Sequence, residues 1–179
     1  MKWLTACPLL LVSVLCLAGQ PARWTESGRV VYVDDGDTLV LLTSGNAQVK
    51  VRLASIDAPE TAHTTKESGR IGQPYSDQAR RYLAELVKGR QVLASCYELD
   101  RYGRAVCDIA EGGRSVNAEM VRAGLAWANQ AAGGRYLRDS TLPQLQRSAE
   151  ADRRGLWAGT HPVPPWEWRR SCWKLALCP

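Results

Sequence analysis

Hydrophobic and polar positions along the first half of the chain fall into short runs. Arg29–Val33 and Thr38–Leu42 are rich in Val, Leu and Tyr, and Asp34-Asp35-Gly36-Asp37 separates them. That order predicts a strand, a tight turn and a second strand. Asn46 turns the chain again before a third strand over Val49–Leu53. There Val49, Val51 and Leu53 alternate with Lys50 and Arg52, so Arg52 projects from the face opposite Val51. Residues 61–73 are polar, contain Gly69 and Gly72, and read as a loop. Pro74 suits a helix start, and Ala79, Tyr82, Leu83, Leu86 and Val87 then recur at helical spacing as far as Gly89. Val92–Tyr97 and Ala105–Ala110 read as the fourth and fifth strands, joined by the turn Asp100-Arg101-Tyr102-Gly103-Arg104. Helices are expected over Asn117–Ala126 and from Leu142 to near Gly155. From His161 onward three prolines, Pro162, Pro164 and Pro165, precede Trp166 and Trp168, which predicts a surface wrap without regular structure.

Five short strands with one helix inserted after the third predict an α+β chain. The arrangement expected is a five-stranded, partly open OB-fold β-barrel with three α-helices. At 179 residues, 45% hydrophobic and 23% charged, the composition excludes wholesale disorder and favours one domain. The first 19 residues form a separate unit. Lys2 precedes an apolar run from Leu4 to Ala18, broken by Thr5, Pro8 and Ser13, and small residues Ala18 and Gly19 follow. This is the pattern of a bacterial export signal, and the run is shorter than the roughly 20 residues that span a bilayer comfortably. The expected organisation is a signal peptide over 1–19, a main folded domain over 24–158 and a Pro/Trp-rich tail over 159–179. The expected destination is the periplasm or the exterior, with an uncleaved leader serving as a membrane anchor as the alternative. No stable membrane partner is expected after cleavage, and a monomer is the expected state.

Two of the six cysteines, Cys7 and Cys16, lie in the leader. The even remainder in an exported chain suggests disulfides. Four cysteines allow three pairings. Cys96 and Cys107 flank the expected hairpin, and Cys172 and Cys178 would close a small loop, so these local pairs are favoured over the alternative of free thiols. The spacings do not suit zinc, since His63 and His161 are the only histidines. The formal charge of +5 suits a polyanionic partner without demanding one.

Three segments carry candidate chemistry. Asp35-Gly36-Asp37-Thr38 combines a tight turn with carboxylates, the hard oxygen donors that calcium prefers; plain hairpin chemistry is its other reading. Arg52-Leu53-Ala54-Ser55-Ile56-Asp57-Ala58-Pro59-Glu60 places a cation and two carboxylates at a strand end. Asp57 can share a cation with Asp37, Glu60 can take a proton from water, and Arg52 can clamp a phosphate. Asp100–Arg104 sets two arginines around an aromatic at a hairpin tip, which suits phosphate contact and base stacking.

Together with Val116-Asn117-Ala118-Glu119-Met120-Val121-Arg122-Ala123-Gly124-Leu125-Ala126, these blocks resemble the staphylococcal nuclease (thermonuclease) family in order and interval, from about Trp24 to Trp157. The resemblance implies a calcium-dependent endo- or exonuclease that hydrolyses DNA and RNA and leaves 3′-phosphate ends. It implies Asp37, Asp57 and the backbone carbonyl of Ala58 as calcium ligands, and Glu60 as the residue that activates or positions water. It further implies Arg52 and Arg104 on the scissile phosphate, Arg101 and Tyr102 on a terminal phosphate, and Asp35 as a nearby carboxylate that does not ligate. Trp127-Ala128-Asn129-Gln130 stands where the type member has base-stacking tyrosines, so its base preference does not carry over. The alternative function is an OB-fold module that holds single-stranded nucleic acid without cutting. Retention of Asp37, Asp57, Glu60, Arg52 and Arg104 speaks for the enzyme.

Overall fold

The computed structural model describes residues 23–65 and 68–178; the expected leader lies outside them. Strands β1 (Trp24–Val33), β2 (Thr38–Thr43) and β3 (Gln48–Leu53) form an antiparallel meander. The short strand β4 (Ile56–Asp57) follows, then a small hairpin of β5 (His63–Thr65) and β6 (Ser68–Arg70) and helix α1 (Ser76–Val87). The chain returns through β7 (Gln91–Leu99) and β8 (Ala105–Glu111) to the two-residue β9 (Arg114–Ser115). Beyond it lie α2 (Val116–Arg122), β10 (Trp127–Ala128), the single turn α3 (Ala131–Gly134), α4 (Leu142–Ala151) and α5 (Pro165–Trp168).

The barrel strands run in the order β3-β2-β1-β7-β8. The sheet is closed, where a partly open barrel was expected, because β3 also pairs in parallel with β8: Val51 with Ala105, Arg52 with Val106 and Leu53 with Cys107. The long β1 makes closure reachable. Its first half pairs with β7 and its second half with β2, with an irregularity between Val30 and Tyr32 where the strand changes register. Such bulges bend a strand and sharpen its twist. Inward positions Val30, Leu39, Leu41, Val51, Leu53, Ala94 and Ile109 are almost wholly buried. Ala79, Leu83 and Val87 of α1 cover the barrel at the spacing the sequence gives them.

Asn117 locks α2 to the barrel. Its Oδ1 accepts the Ile109 N–H at 2.9 Å, and its Nδ2 donates to the Ala54 carbonyl at 2.9 Å and to Asp108 Oδ1 at 3.2 Å. All three contacts are made by a side chain 2% exposed. Truncation strands buried backbone groups, so Asn117→Ala is expected to lower the unfolding free energy by about 1–3 kcal/mol. Urea denaturation followed by far-UV circular dichroism measures this, and an unchanged midpoint would contradict it.

Three expectations need correction. The second helix ends at Arg122 and not at Ala126. Gly124 turns the chain with φ +69°, and a Cβ there would lie 2.3 Å from the Arg154 carbonyl oxygen, so glycine permits both the turn and the close approach. The loop over 61–73 contains the β5–β6 hairpin. The C-terminal segment is regular: α5 continues into a wide π-helical turn over Arg169–Lys174. Pro165 suits the first turn of a helix. Trp168, 5% exposed, gives the segment an apolar anchor. The indole N–H groups of Trp168 and Trp173 both donate to the Ile71 carbonyl, at 3.2 and 2.9 Å, and the Gln73 side-chain amide donates to the Val163 carbonyl.

Both local cysteine pairs are disulfides. Cys96 and Cys107 stand directly opposite one another on β7 and β8 and are fully buried. Cys172–Cys178 fastens the end of the tail. Among the described residues no helix is long and apolar enough to cross a membrane.

Candidate active site

The turn between β1 and β2 brings the first carboxylates into place. Asp35 Oδ1 accepts the Asp37 N–H at 2.9 Å, an Asx turn that fixes the tip. A Cβ on Gly36 would lie 2.6 Å from the Ala58 Cβ and 2.7 Å from the Ala79 Cβ. Glycine therefore lets the turn press against the end of β4 and against α1. The result is a direct link: the Ala58 N–H donates to Asp37 Oδ2 at 3.2 Å, and Thr38 Oγ1 donates to Asp37 Oδ1 at 3.1 Å.

Arg52 sits opposite Thr38 in the β2–β3 ladder. One of its nitrogens, Nη2, donates to Asp37 Oδ2 at 3.2 Å and to Asp57 Oδ1 at 2.8 Å. Two carboxylates, one from the β1–β2 turn and one from β4, thus converge on a single guanidinium nitrogen. Asp57 reaches this point because Ser55 adopts a left-handed conformation (φ 63°) between β3 and β4. Backbone N–H groups of Arg138 and Asp139 hold the Ser55 hydroxyl at 2.9 and 3.3 Å, and β10 pairs Trp127 with Asp57. Trp127 is 5% exposed and belongs to the packed wall.

Arg104 enters from the β7–β8 turn. Its Nε donates to Asp100 Oδ2 at 2.8 Å, and its Nη1 donates to Thr38 Oγ1 at 3.2 Å. Thr38 in turn donates to Asp37, so the two arginines are linked through the Thr38 hydroxyl and the Asp37 carboxylate. Asp100 also caps the turn, with Oδ1 accepting the N–H groups of Tyr102 and Arg104, each at 2.9 Å. Arg101 and Tyr102 stand on the exposed tip. Arg101 Nη2 donates to the Tyr102 hydroxyl at 2.7 Å, and the guanidinium carbons of Arg101 and Arg104 lie 4.8 and 5.5 Å from the ring centroid.

Glu60 follows β4, with its N–H donating to Gln73 Oε1 at 3.3 Å. Its carboxylate accepts from Arg169 Nη1. Arg169 also forks onto Asp57, with Nη1 to Oδ1 at 3.2 Å and Nη2 to Oδ2 at 2.7 Å. The sequence marks Arg169 only as a basic neighbour of the tail tryptophans, and its place among the carboxylates is not legible there. The nearest signal is the Pro-Trp spacing that docks the tail.

Electrostatics follow from this crowding. Burial and then the neighbouring Asp37 charge push the Asp35 carboxyl up to about 7. Burial also works against Asp37, but the Arg52 guanidinium, the Ala58 N–H and Arg104 outweigh it and hold that carboxyl below the usual range. Glu60 is pushed up to about 7 by burial, with Arg169 opposing the shift. Among the described residues no three His, Cys, Asp or Glu side chains form a ready metal cage, since guanidinium groups span the carboxylates instead. The donors nonetheless fit a hard divalent cation. Two carboxylates meet at a point already held by positive charge, and Asp35 stands half-buried beside them.

The structure therefore gathers Asp37, Asp57, Ala58 and Arg52 directly, joins Glu60 through Arg169 and Arg104 through Thr38, and sets Arg101 and Tyr102 at the rim. The family described as "Staphylococcal nuclease homologue" matches residues 50–159. An "Uncharacterized endonuclease" of Haemophilus influenzae is 36% identical over 163 residues, covering 91% of this chain and 82% of that protein. An "Uncharacterized endonuclease" of Escherichia coli is 41% identical over 143 residues, covering 79% and 84%. The "Micrococcal nuclease" of Shigella flexneri is 33% identical over 177 residues, covering 94% of each chain. On the barrel, on the grouping of carboxylates and arginines at its strand ends and on these matches, the chain belongs to the staphylococcal nuclease family.

Proposed function

We propose that this protein is an exported, calcium-dependent phosphodiesterase that hydrolyses DNA and RNA and leaves 3′-phosphate ends. The observation that carries the reading is the convergence of Asp37 and Asp57 on one Arg52 nitrogen, at 3.2 and 2.8 Å, with Glu60 on the adjoining turn. A phosphodiester repels anionic nucleophiles, so its hydrolysis needs positive charge aimed where negative charge grows. Arg52 and Arg104 provide it from two sides of Thr38. Glu60 accepts the proton of the attacking water, whose oxygen bonds to phosphorus while the bond to the 5′ oxygen breaks. Arg101 and Tyr102 meet the chain further along, as a phosphate contact and an exposed ring on which a base can stack. Asp37, Asp57 and the Ala58 carbonyl would hold calcium, which supplies further charge neutralisation at the phosphate.

Export fits the two disulfides, which persist in oxidising compartments. The leader read in residues 1–19 and the monomeric state belong to the same proposal. Non-catalytic binding of single strands on the barrel is the competing function.

Heat-denatured DNA incubated with the mature protein separates the two. Cutting is expected with millimolar calcium and is expected to stop with a chelator. Magnesium, whose octahedral shell is stricter, is expected to support less turnover. Binding without cutting would leave only the non-catalytic reading, and equal rates in both ions would remove the calcium assignment.

A further inference from the structure

The C-terminal segment is not needed to close the barrel, yet it delivers a cation to the centre of the site. Its docking is specific. Trp168 and Trp173 share the Ile71 carbonyl, Gln73 holds the Val163 carbonyl, and Cys172–Cys178 closes the last turn. Gln73 also accepts the Glu60 N–H, so one side chain ties the tail to the segment bearing Glu60. At the end of this path Arg169 covers both oxygens of Asp57 and one of Glu60. Arg52 already occupies Asp57 Oδ1, which leaves Asp57 engaged by three N–H groups.

We infer that the tail is an autoinhibitory latch in which Arg169 stands as a tethered cation on Asp57 and Glu60 and competes with the divalent metal for them. The inference rests on the metal-dependent reading above and adds regulation to the same site. An ion that takes Asp57 must displace at least one guanidinium. Arg52 is fixed on a barrel strand, whereas Arg169 sits on a short terminal segment held by a few side-chain contacts, so Arg169 is the one that leaves. Its departure frees the Glu60 carboxylate in the same movement. The docked tail thus describes a closed state, and metal binding opens it. In a two-state scheme, apparent metal affinity falls by the fraction of molecules that are open. A tail docked in roughly nine molecules of ten would weaken calcium binding about tenfold.

Isothermal titration of calcium chloride into the wild-type protein and into R169A tests this, together with hydrogen–deuterium exchange over residues 165–178. R169A is expected to bind calcium about tenfold more tightly or better. Saturating calcium is expected to speed exchange in the wild-type tail. W168A, which removes the tail's anchor and keeps the arginine, should shift affinity in the same direction and guards against a folding defect confined to R169A. Equal calcium affinity in all three proteins, weaker binding by R169A, or a tail whose exchange is unchanged by calcium would overturn the latch alone. Calcium binding by none of them would overturn the metal-dependent reading as well.

Discussion

Replacing Arg52 with leucine is expected to reduce cleavage of single-stranded DNA by about 10²–10³-fold and to lower the unfolding free energy by about 3–5 kcal/mol. The stability effect comes from one nitrogen. Arg52 Nη2 bridges Asp37 and Asp57, whose side chains are 9% and 1% exposed. Without it, Asp37 keeps only the Ala58 N–H and the Thr38 hydroxyl. A buried charge that loses its partner pays its full desolvation penalty, far more than a surface pair is worth. The catalytic loss has a different origin, the proposed role of Arg52 as a fork on the phosphate. Calcium separates the two. Added ion should restore much of the stability, because on the proposed metal site it would supply positive charge to the same carboxylates, and should leave turnover low. Urea denaturation with and without calcium, beside kcat/KM on a defined oligonucleotide, measures both. Turnover that recovers along with stability would show Arg52 to be structural only.

Glu60→Gln is expected to lower turnover by about 10²–10⁴-fold, the usual worth of a positioned general base. Its pH signature makes the test sharper. Burial raises the Glu60 carboxyl to about 7, so the carboxylate proposed as the base is increasingly charged as pH rises through that value. Wild-type kcat/KM should climb toward pH 7 and level above it, and the residual activity of the glutamine variant should lack that limb. Stability runs the other way. A carboxyl whose folded value lies above its unfolded value of about 4.5 contributes fully below pH 4.5, and that contribution is lost as pH rises through 7. In metal-free protein at pH 8 the variant should therefore be at least as stable as wild type. An activity limb of equal shape in both proteins would remove Glu60 from the role of base.

The barrel was largely legible because its signals are local. Alternation in Val49–Leu53 and the apolar spacing of α1 report which faces are buried, and Asp-Gly between two runs reports a turn. Closure was not legible. The parallel pairing of β3 with β8 joins distant segments, and no residue in either strand announces its partner. The site divides in the same way. Asp37, Arg52, Asp57, Glu60 and Arg104 stand out by type and interval, while Thr38 belongs to the first of these blocks without any sign in sequence that it links Asp37 to Arg104. Arg169 was hidden for a stronger reason. Prolines and tryptophans mark a segment that packs, but where it packs depends on the backbone carbonyl of Ile71 and the side chain of Gln73, and periodicity carries no information about either. Gly124 is a local signal that the helical reading passed over: it adopts φ +69° just past Ala123, and the N–H groups of Gly124 and Leu125 donate to the Val121 and Met120 carbonyls, which caps the helix.

The β3–β8 pairing also bears on how the chain reaches its working state. Contacts of β2 with β1 and β3, of β7 with β8 and within α1 close short loops, and are expected to form before the long-range pairings of β1 with β7 and of β3 with β8. Arg52 and Arg104 lie beside that seam, so a chain with its local elements formed but its seam open holds the two arginines apart. Recovery of cutting during refolding should consequently lag the recovery of secondary structure, and a partly folded chain would be harmless to nucleic acid.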